Sequence, residues 1–528
     1  MARKGVLYAR LMGCFQLSAP DGTDLTPPSM KARGILALLL MSPDFTRSRE
    51  DLGGMLWSDR GVAQARNSLR HALSEIRRHM GAHEAVLLAD RKSVSLNPDM
   101  IERDVDNAIP NGRDDFLEGL VLKDKVFSGW LDERRREFAE TVRRSEEPLL
   151  FIRSRGDDSL LHTAILVDGI ANGLSDWCAR HVAETGAELP EAGSGEAKGA
   201  RFILDSTIAA GEDGVAVHLS LGSGTPRKPL WNRPILLPND PVRLLEQHEL
   251  HQLINQSVDR TIFEIASPRD EDEESHYLQS GVLGAVRMIF RNQPGDLEAA
   301  QLQLDRNFAL DPRGIYLAWS AYIRTLYRGE RDGSDAQILR EEAEALVRRA
   351  LELDPHDAMT LALCSYVQSY VLGNKETGHD LASRSIDLNR SNPLAWAFRG
   401  AARFNVGKSE EAYRDITYAR KIAGDGPYRY VLDAFACVAS ALTNRLEEAT
   451  LYGEISSALA PGYRAPLRYL AAIYAARGER ERLAETLTRI RAIEPEFTLA
   501  KLEEAAYPVQ PLRNTESFVR KLSGQSDL

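Results

Sequence analysis

The chain is predicted to be multidomain: a small N-terminal α+β domain of winged-helix topology, a small central α/β domain, and an all-α repeat superhelix at the C-terminus. Three observations predict this. An arginine-rich amphipathic stretch, Val62 to Met80, is followed by a short basic hairpin. Two alternating segments, Phe202 to Ile208 and Val215 to Leu221, flank the turn Glu212-Asp213-Gly214. Beyond residue 300 a three-residue signature recurs at intervals of 34 to 43 residues. The expected boundaries are 1–106 for the first domain, 107–146 for a helical connector, 147–268 for the α/β domain and 269–528 for the repeats.

At 528 residues the chain is too long for one core. Hydrophobic and charged fractions of 43% and 27% are those of a soluble globular protein. The longest apolar run, Gly34 to Met41, is too short to span a bilayer, so no membrane partner is expected. No basic-then-apolar leader pattern stands at the N-terminus. Four dispersed cysteines (Cys14, Cys178, Cys364, Cys437) suggest neither a disulfide framework nor a zinc site and fit a reducing cytoplasm. The net charge of −11 divides unevenly: residues 1–100 carry 14 Lys+Arg against 10 Asp+Glu, while the remainder is strongly acidic. A mildly basic head on an acidic body suits a DNA-binding module of modest, salt-sensitive affinity.

The head reads as short strands at residues 7–11 and 14–17, with Asp21-Gly22 as a turn. Ser29 caps a first helix that ends before Pro43. Thr46 or Ser48 caps a second, residues 49–57, with Leu52, Met55 and Leu56 inward. In the third helix, residues 62–80, Ala65, Leu69, Ala72, Leu73, Ile76 and Met80 form the inward stripe. Asn67, His71, Ser74 and Arg78 point outward, Arg66, Arg70 and Arg77 line one shoulder, and Glu75 is the single acid. Arginine binds phosphate and pairs bidentately with guanine, and Asn and Ser can read base edges. The plainer reading, a solvated helix face, has comparable weight for the helix alone. The neighbouring hairpin, residues 86–89 and 94–96 with Arg91 and Lys92 at its tip, favours DNA.

Residues 7–104 resemble the OmpR/PhoB-type DNA-binding domain of SARP-like bacterial transcriptional activators. The resemblance rests on Lys31-Ala32-Arg33, Arg49-Glu50-Asp51-Leu52, Leu56-Trp57-Ser58-Asp59, Ala65-Arg66-Asn67-Ser68-Leu69-Arg70, Ala72-Leu73-Ser74-Glu75-Ile76-Arg77-Arg78 and Asp104-Val105, in that order. It implies that Asn67, Arg70, His71, Ser74 and Arg78 face bases, and that Arg77 is partly structural. It also implies that the loop from Ser58 to Gln64 occupies the position used by relatives to touch RNA polymerase. The double-stranded DNA partner would be promoter DNA, read at direct repeats. Residues 115–120 (Asp-Phe-Leu-Glu-Gly-Leu), 127–131 (Phe-Ser-Gly-Trp-Leu) and 133–135 (Glu-Arg-Arg) resemble the start of the helical activator segment in the same family, here fading near Arg144.

From residue 149 the pattern changes. Residues 149–152 read as a strand, 162–180 as a helix, and 188–198 as a Gly/Ala/Glu-rich loop. The hairpin of residues 202–221 follows, then Leu230-Trp231 before a short strand, and a helix over 241–265. The order loosely resembles a TolB-N-like domain. Arg269-Asp270-Glu271-Asp272-Glu273-Glu274 reads as a solvated hinge.

The repeat signature runs Leu310-Asp311-Pro312, Leu353-Asp354-Pro355, Leu388-Asn389-Arg390, Ile422-Ala423-Gly424, Leu459-Ala460-Pro461 and Ile493-Glu494-Pro495. This is the tetratricopeptide period with insertions. In the clearest unit, Trp396, Gly400, Ala412, Ile416 and Ala419 fall where paired helices cross closely. Five or six stacked helix pairs are expected, whose concave face would bind a protein partner or a second copy.

Gly407-Lys408-Ser409 lacks the upstream glycine of a phosphate loop, because Ala402 stands there. The eleven histidines show no ligand spacing; His162, His248 and His251 read as surface or satisfied core residues. No nucleophile elbow is present. The expectation is therefore a sequence-specific transcriptional regulator, an activator, without enzymatic activity, metal or cofactor. The alternative is an interaction scaffold whose winged helix binds protein.

Overall fold

The computed structural model describes residues 6–106, 115–146, 150–156, 161–178, 182–185, 202–210, 214–223, 228–238, 240, 247–266, 282–291, 293–330, 336–504, 507–509 and 511. The expected loop at 188–198 and the hinge at 269–274 lie outside the described residues. The fold is mostly helical, with small three-stranded sheets at the N-terminus and helical repeats at the C-terminus. It divides into two compact units, Met1–Glu147 and Pro148–Leu528.

In the first unit, β1 (Leu7–Arg10) pairs antiparallel with β2 (Gln16–Ser18). Three helices follow: α1 (Met30–Leu40), α2 (Arg49–Leu56) and α3 (Val62–Met80). Ser29 caps α1, its hydroxyl accepting from the Ala32 N–H. Of the two candidate caps for α2, Ser48 is the one used, accepting from the Asp51 N–H at 3.0 Å. Thr46 instead opens a three-residue strand, β3 (Thr46–Ser48), which the sequence reading missed. It pairs with β5 (Ser93–Leu96), which also pairs with β4 (Leu87–Ala89), so the expected hairpin is part of a three-stranded sheet. A second unexpected strand, β6 (Ile101–Arg103), runs parallel to β1. The Asp104 carboxylate then accepts from the Leu11 and Met12 N–H groups at 2.8 and 2.9 Å, tying the two ends of the sheet together.

The segment beyond residue 114 is not a free connector. Phe116, Leu117, Leu120, Leu122 and Phe127 are buried in the same core as α1 to α3. Helix α4 (Lys125–Glu146) carries Arg135, which donates to the Phe116 and Leu117 carbonyls at 2.9 and 2.8 Å. Phe116 stacks on Phe138 with ring centroids 4.6 Å apart. Gly34 on α1 is needed for this approach: a Cβ there would stand 3.0 Å from Leu122 and 3.2 Å from Leu56.

The second unit contains a five-stranded sheet in the order β11-β10-β9-β7-β8. Its strands are β7 (Leu150–Gly156), β8 (Val182–Thr185), β9 (Phe202–Ala210), β10 (Val215–Ser223) and β11 (Lys228–Leu237). β7 is parallel to β8 and β9; the hairpin β9–β10–β11 is antiparallel. Helices α5 (Leu161–Cys178) and α6 (His248–Ala266) belong to this segment. They meet closely because Gly169 and Gly173 on α5 leave room for Ile254 and Val258.

Six helix pairs follow among the described residues. They are α7 (Val282–Arg291) with α8 (Asp296–Leu310), α9 (Gly314–Glu330) with α10 (Ala336–Leu353), and α11 (Ala358–Val367) with α12 (Lys375–Leu388). The remaining pairs are α13 (Pro393–Asn405) with α14 (Ser409–Ile422), α15 (Arg429–Leu442) with α16 (Leu446–Leu459), and α17 (Arg464–Arg477) with α18 (Arg480–Ile493). Gly407, at φ +80°, makes the α13–α14 turn, which is the place of the phosphate-loop look-alike. Gly400 allows the crossing: a Cβ would meet Ile416 at 2.6 Å.

The first helices of successive pairs share an aromatic row, Trp319, Tyr322, Tyr366, Phe398 and Phe435, with neighbouring centroids 4.7 to 6.1 Å apart. Non-consecutive pairs also meet. The Arg464 N–H donates to Glu330 at 2.6 Å, and Arg468 donates to the Gly329 carbonyl and to Glu494. Helices α5 and α6 join the same core, with Trp177 stacked on Tyr428 at 5.1 Å and packed on Trp319 at 6.1 Å. The central segment and the repeats therefore fold as one unit.

Candidate nucleic-acid interface

Helix α3 spans residues 62–80 as its periodicity requires, and its buried residues are Ala65, Leu69, Ala72, Leu73, Ile76 and Met80. Burying these six side chains fixes the helix rotation, since each large one contributes roughly 1.5–3 kcal/mol. The opposite face follows from that rotation. Arg66, Asn67, Arg70, His71, Ser74 and Arg78 are exposed, and Arg77 is half-buried. Ser74 spends its hydroxyl on the Arg70 carbonyl at 3.1 Å, which leaves its oxygen lone pairs as the group available to a ligand.

The helix carries one acid, and its carboxylate is turned inward. Glu75 accepts from the Ser29 N–H at 3.0 Å, at the start of α1. It thereby satisfies an orphan donor of that helix terminus and is withdrawn from the outer face. Among the described residues, the side chains of Arg66, Arg70, Arg77, Arg78, Arg91 and Lys92 have no ion-pair or hydrogen-bond partner.

Helix α3 runs through a 3-10 turn (Gly81–Val86) into β4. The hairpin tip, Asp90-Arg91-Lys92-Ser93, is closed by hydrogen bonds of its own. The Asp90 carboxylate accepts from the Lys92 and Ser93 N–H groups, both at 2.6 Å, and from the Ser93 hydroxyl at 3.0 Å. Those bonds hold its carboxyl below the ordinary aspartate range, so the turn is fully formed at neutral pH. From the other side, Arg49 donates its side chain to the Asp90 carbonyl at 2.8 Å and its N–H to the Lys92 carbonyl at 2.9 Å. The start of α2 thus braces the tip, and Arg91 and Lys92 are presented outward.

Sequence reasoning gave the polar outward residues of α3 from Arg66 to Arg78 but missed the supports. Glu75, Arg49 and Asp90 act through contacts 41 to 46 residues away in sequence or through a turn, which periodicity does not reveal. The loop from Ser58 to Gln64 has a support of its own. Asp124, just before α4, accepts from the Ser58 N–H at 2.7 Å and its hydroxyl at 3.0 Å. Burial acts to raise the Asp124 carboxyl, but these bonds outweigh it and hold it below the ordinary range.

The histidines of the sequence reading separate. His248 lies beside Glu249, half-exposed, and His251 is buried with Nδ1 2.7 Å from the Tyr418 hydroxyl. Among the described residues no cluster of His, Cys, Asp and Glu has metal-binding geometry. No described helix is long and apolar enough to cross a membrane.

No protein-family model matches the chain, and a search of curated proteins finds no significant match.

Proposed function

We propose that the chain is a cytoplasmic, sequence-specific DNA-binding transcriptional regulator, an activator of the SARP-like kind, and not an enzyme. One observation carries the reading: the outer face of α3 holds Arg66, Arg70, Arg77 and Arg78 without partners among the described residues, and its only acid is drawn away to Ser29. Such a face pays no cost of breaking internal ion pairs when phosphates replace water. The first unit is then a winged helix, α3 its major-groove helix and the β4–β5 tip its wing. Asn67, Arg70, His71, Ser74 and Arg78 meet base edges, and Arg66, Arg77, Arg91 and Lys92 meet phosphates. The Ser58 to Gln64 loop, held by Asp124, is the surface offered to RNA polymerase.

The helical pairs are tetratricopeptide repeats, and the β7–β11 segment is TolB-N-like. The repeats serve a protein partner or self-association. The test is binding of the full chain to promoter fragments recovered by occupancy mapping. Arg70→Ala and Arg78→Ala should each weaken and relax recognition; wild-type affinity and specificity in both folded variants would refute the assignment. A second reading, an interaction scaffold, is favoured by the acidic remainder of the chain. It predicts binding of protein, not DNA, to the α3 face.

A further inference from the structure

Four of the six repeat signatures end in proline: Pro312, Pro355, Pro461 and Pro495. Two do not, Leu388-Asn389-Arg390 and Ile422-Ala423-Gly424. These same two turns receive α5 and α6. Asp176 on α5 accepts from the Asn389 side chain at 2.7 Å. On α6, His251, Asn255 and Asp259 form one stripe at four-residue spacing. Asn255 donates to the Ser391 and Ile422 carbonyls at 2.7 and 2.8 Å, bridging both turns. Asp259 accepts from the Gly426 N–H at 3.0 Å and the Tyr428 hydroxyl at 3.2 Å.

The glycines are needed for this approach. A Cβ on Gly424 would stand 2.1 Å from the Asp259 carboxylate, and one on Gly426 2.8 Å from it. The departures from the repeat pattern therefore make a fitted receptor for the α6 stripe and for Asp176 of α5.

Each docked helix brings a carboxylate to its turn, Asp176 buried and Asp259 half-buried, and neither forms an ion pair among the described residues. Asp357 is the charge that acts on Asp176, and it is of like sign. Asp425 and Arg429 act on Asp259 in opposite senses, and Arg429 is shared with Asp433 at 3.6 Å. The other titratable or charged groups facing the seam are Glu249 and His251 on α6, Arg390 in the first turn and Tyr418 on α14. A carboxylate kept from water without a counter-charge is far less stable ionised than carrying its proton.

We propose that the two divergent turns form a docking site dedicated to α5 and α6, and that protonation of Asp176 and Asp259 gates it. Burial pushes Asp259 up to about 7 and Asp176 well above the ordinary aspartate value. For acids shifted upward, docking is strongest below the unshifted value and weakens as pH rises through the docked value. The repeats thus have an intramolecular ligand whose grip loosens toward neutral and alkaline pH. This inference is independent of the DNA-binding reading.

The test is hydrogen exchange of the full-length chain at pH 5.0 and 7.5, corrected for the intrinsic chemical rate. Amides of α5 and α6 should lose protection about tenfold or more at the higher pH, a tenfold change being one pH unit of linkage. Those of α16 and α18, remote from the seam, are the internal reference. The Asp176→Asn/Asp259→Asn double variant should keep its protection at both pH values. Equal protection of wild-type α5 and α6 at both pH values, or the same loss in the double variant, would overturn the proposal. If the double variant does not fold, Asp259→Asn alone and the wild-type comparison of α6 with α16 still decide it.

Discussion

Replacing Arg91 and Lys92 together by alanine should flatten the salt dependence of DNA binding without altering which sequences are preferred. Both side chains are exposed at the hairpin tip and have no partner among the described residues. The tip itself is set by main-chain and Asp90 contacts, so the double variant should keep its shape. Each phosphate neutralised releases counterions and adds about −0.9 to the slope of log K against log salt. With Arg66, Arg77, Arg91 and Lys92 on phosphates, the slope is about −3.6 per head. Removing two should bring it to about −1.8. Fluorescence anisotropy of a labelled promoter fragment, titrated at several salt concentrations with a scrambled competitor, measures slope and preference together. An unchanged slope would mean that the tip does not touch phosphate, and the docking geometry proposed for the head would be wrong.

Three further outcomes are expected. Arg70→Ala should lower specificity at one or two base positions by about 1–3 kcal/mol per lost bidentate contact, while Arg70→Lys keeps part of the affinity but not the discrimination; binding to single-substituted sites reads this. Phe116→Ala should destabilise the first unit by about 3–5 kcal/mol, because Phe116 is buried in its core and stacked on Phe138, and thermal unfolding of a 1–147 fragment checks it. Gly424→Ala should leave the repeats folded but raise exchange of α6, because the added carbon collides with Asp259; unchanged exchange would mean that the turn accommodates it freely.

The rotation of α3 was legible because six apolar residues at helical spacing leave a single inward face. The repeat pairs were legible for a similar reason: Leu-Asp-Pro and small residues such as Gly400 mark where helices end and cross. Three-residue strands such as β3 and β6 carry too little alternation to stand out. The role of residues 115–146 was underestimated. Its aromatic residues were visible, but that Phe116 and Phe127 complete the core of α1 to α3 is a long-range fact. So too was the junction of the central segment with the repeats. Asn389 and Gly424 stand in the recurring signature, but their partners Asp176, Asn255 and Asp259 lie far upstream. At the candidate interface the outward side chains were readable, whereas the inward turn of Glu75 depends on Ser29 across the fold.

The central claim is that the first unit reads DNA sequence, and genome-wide promoter occupancy of the full chain beside a 1–147 fragment tests it most directly. The account predicts discrete promoter peaks shared by both, with a common motif. An absence of peaks for both, from well-expressed folded protein, would contradict it and favour the scaffold.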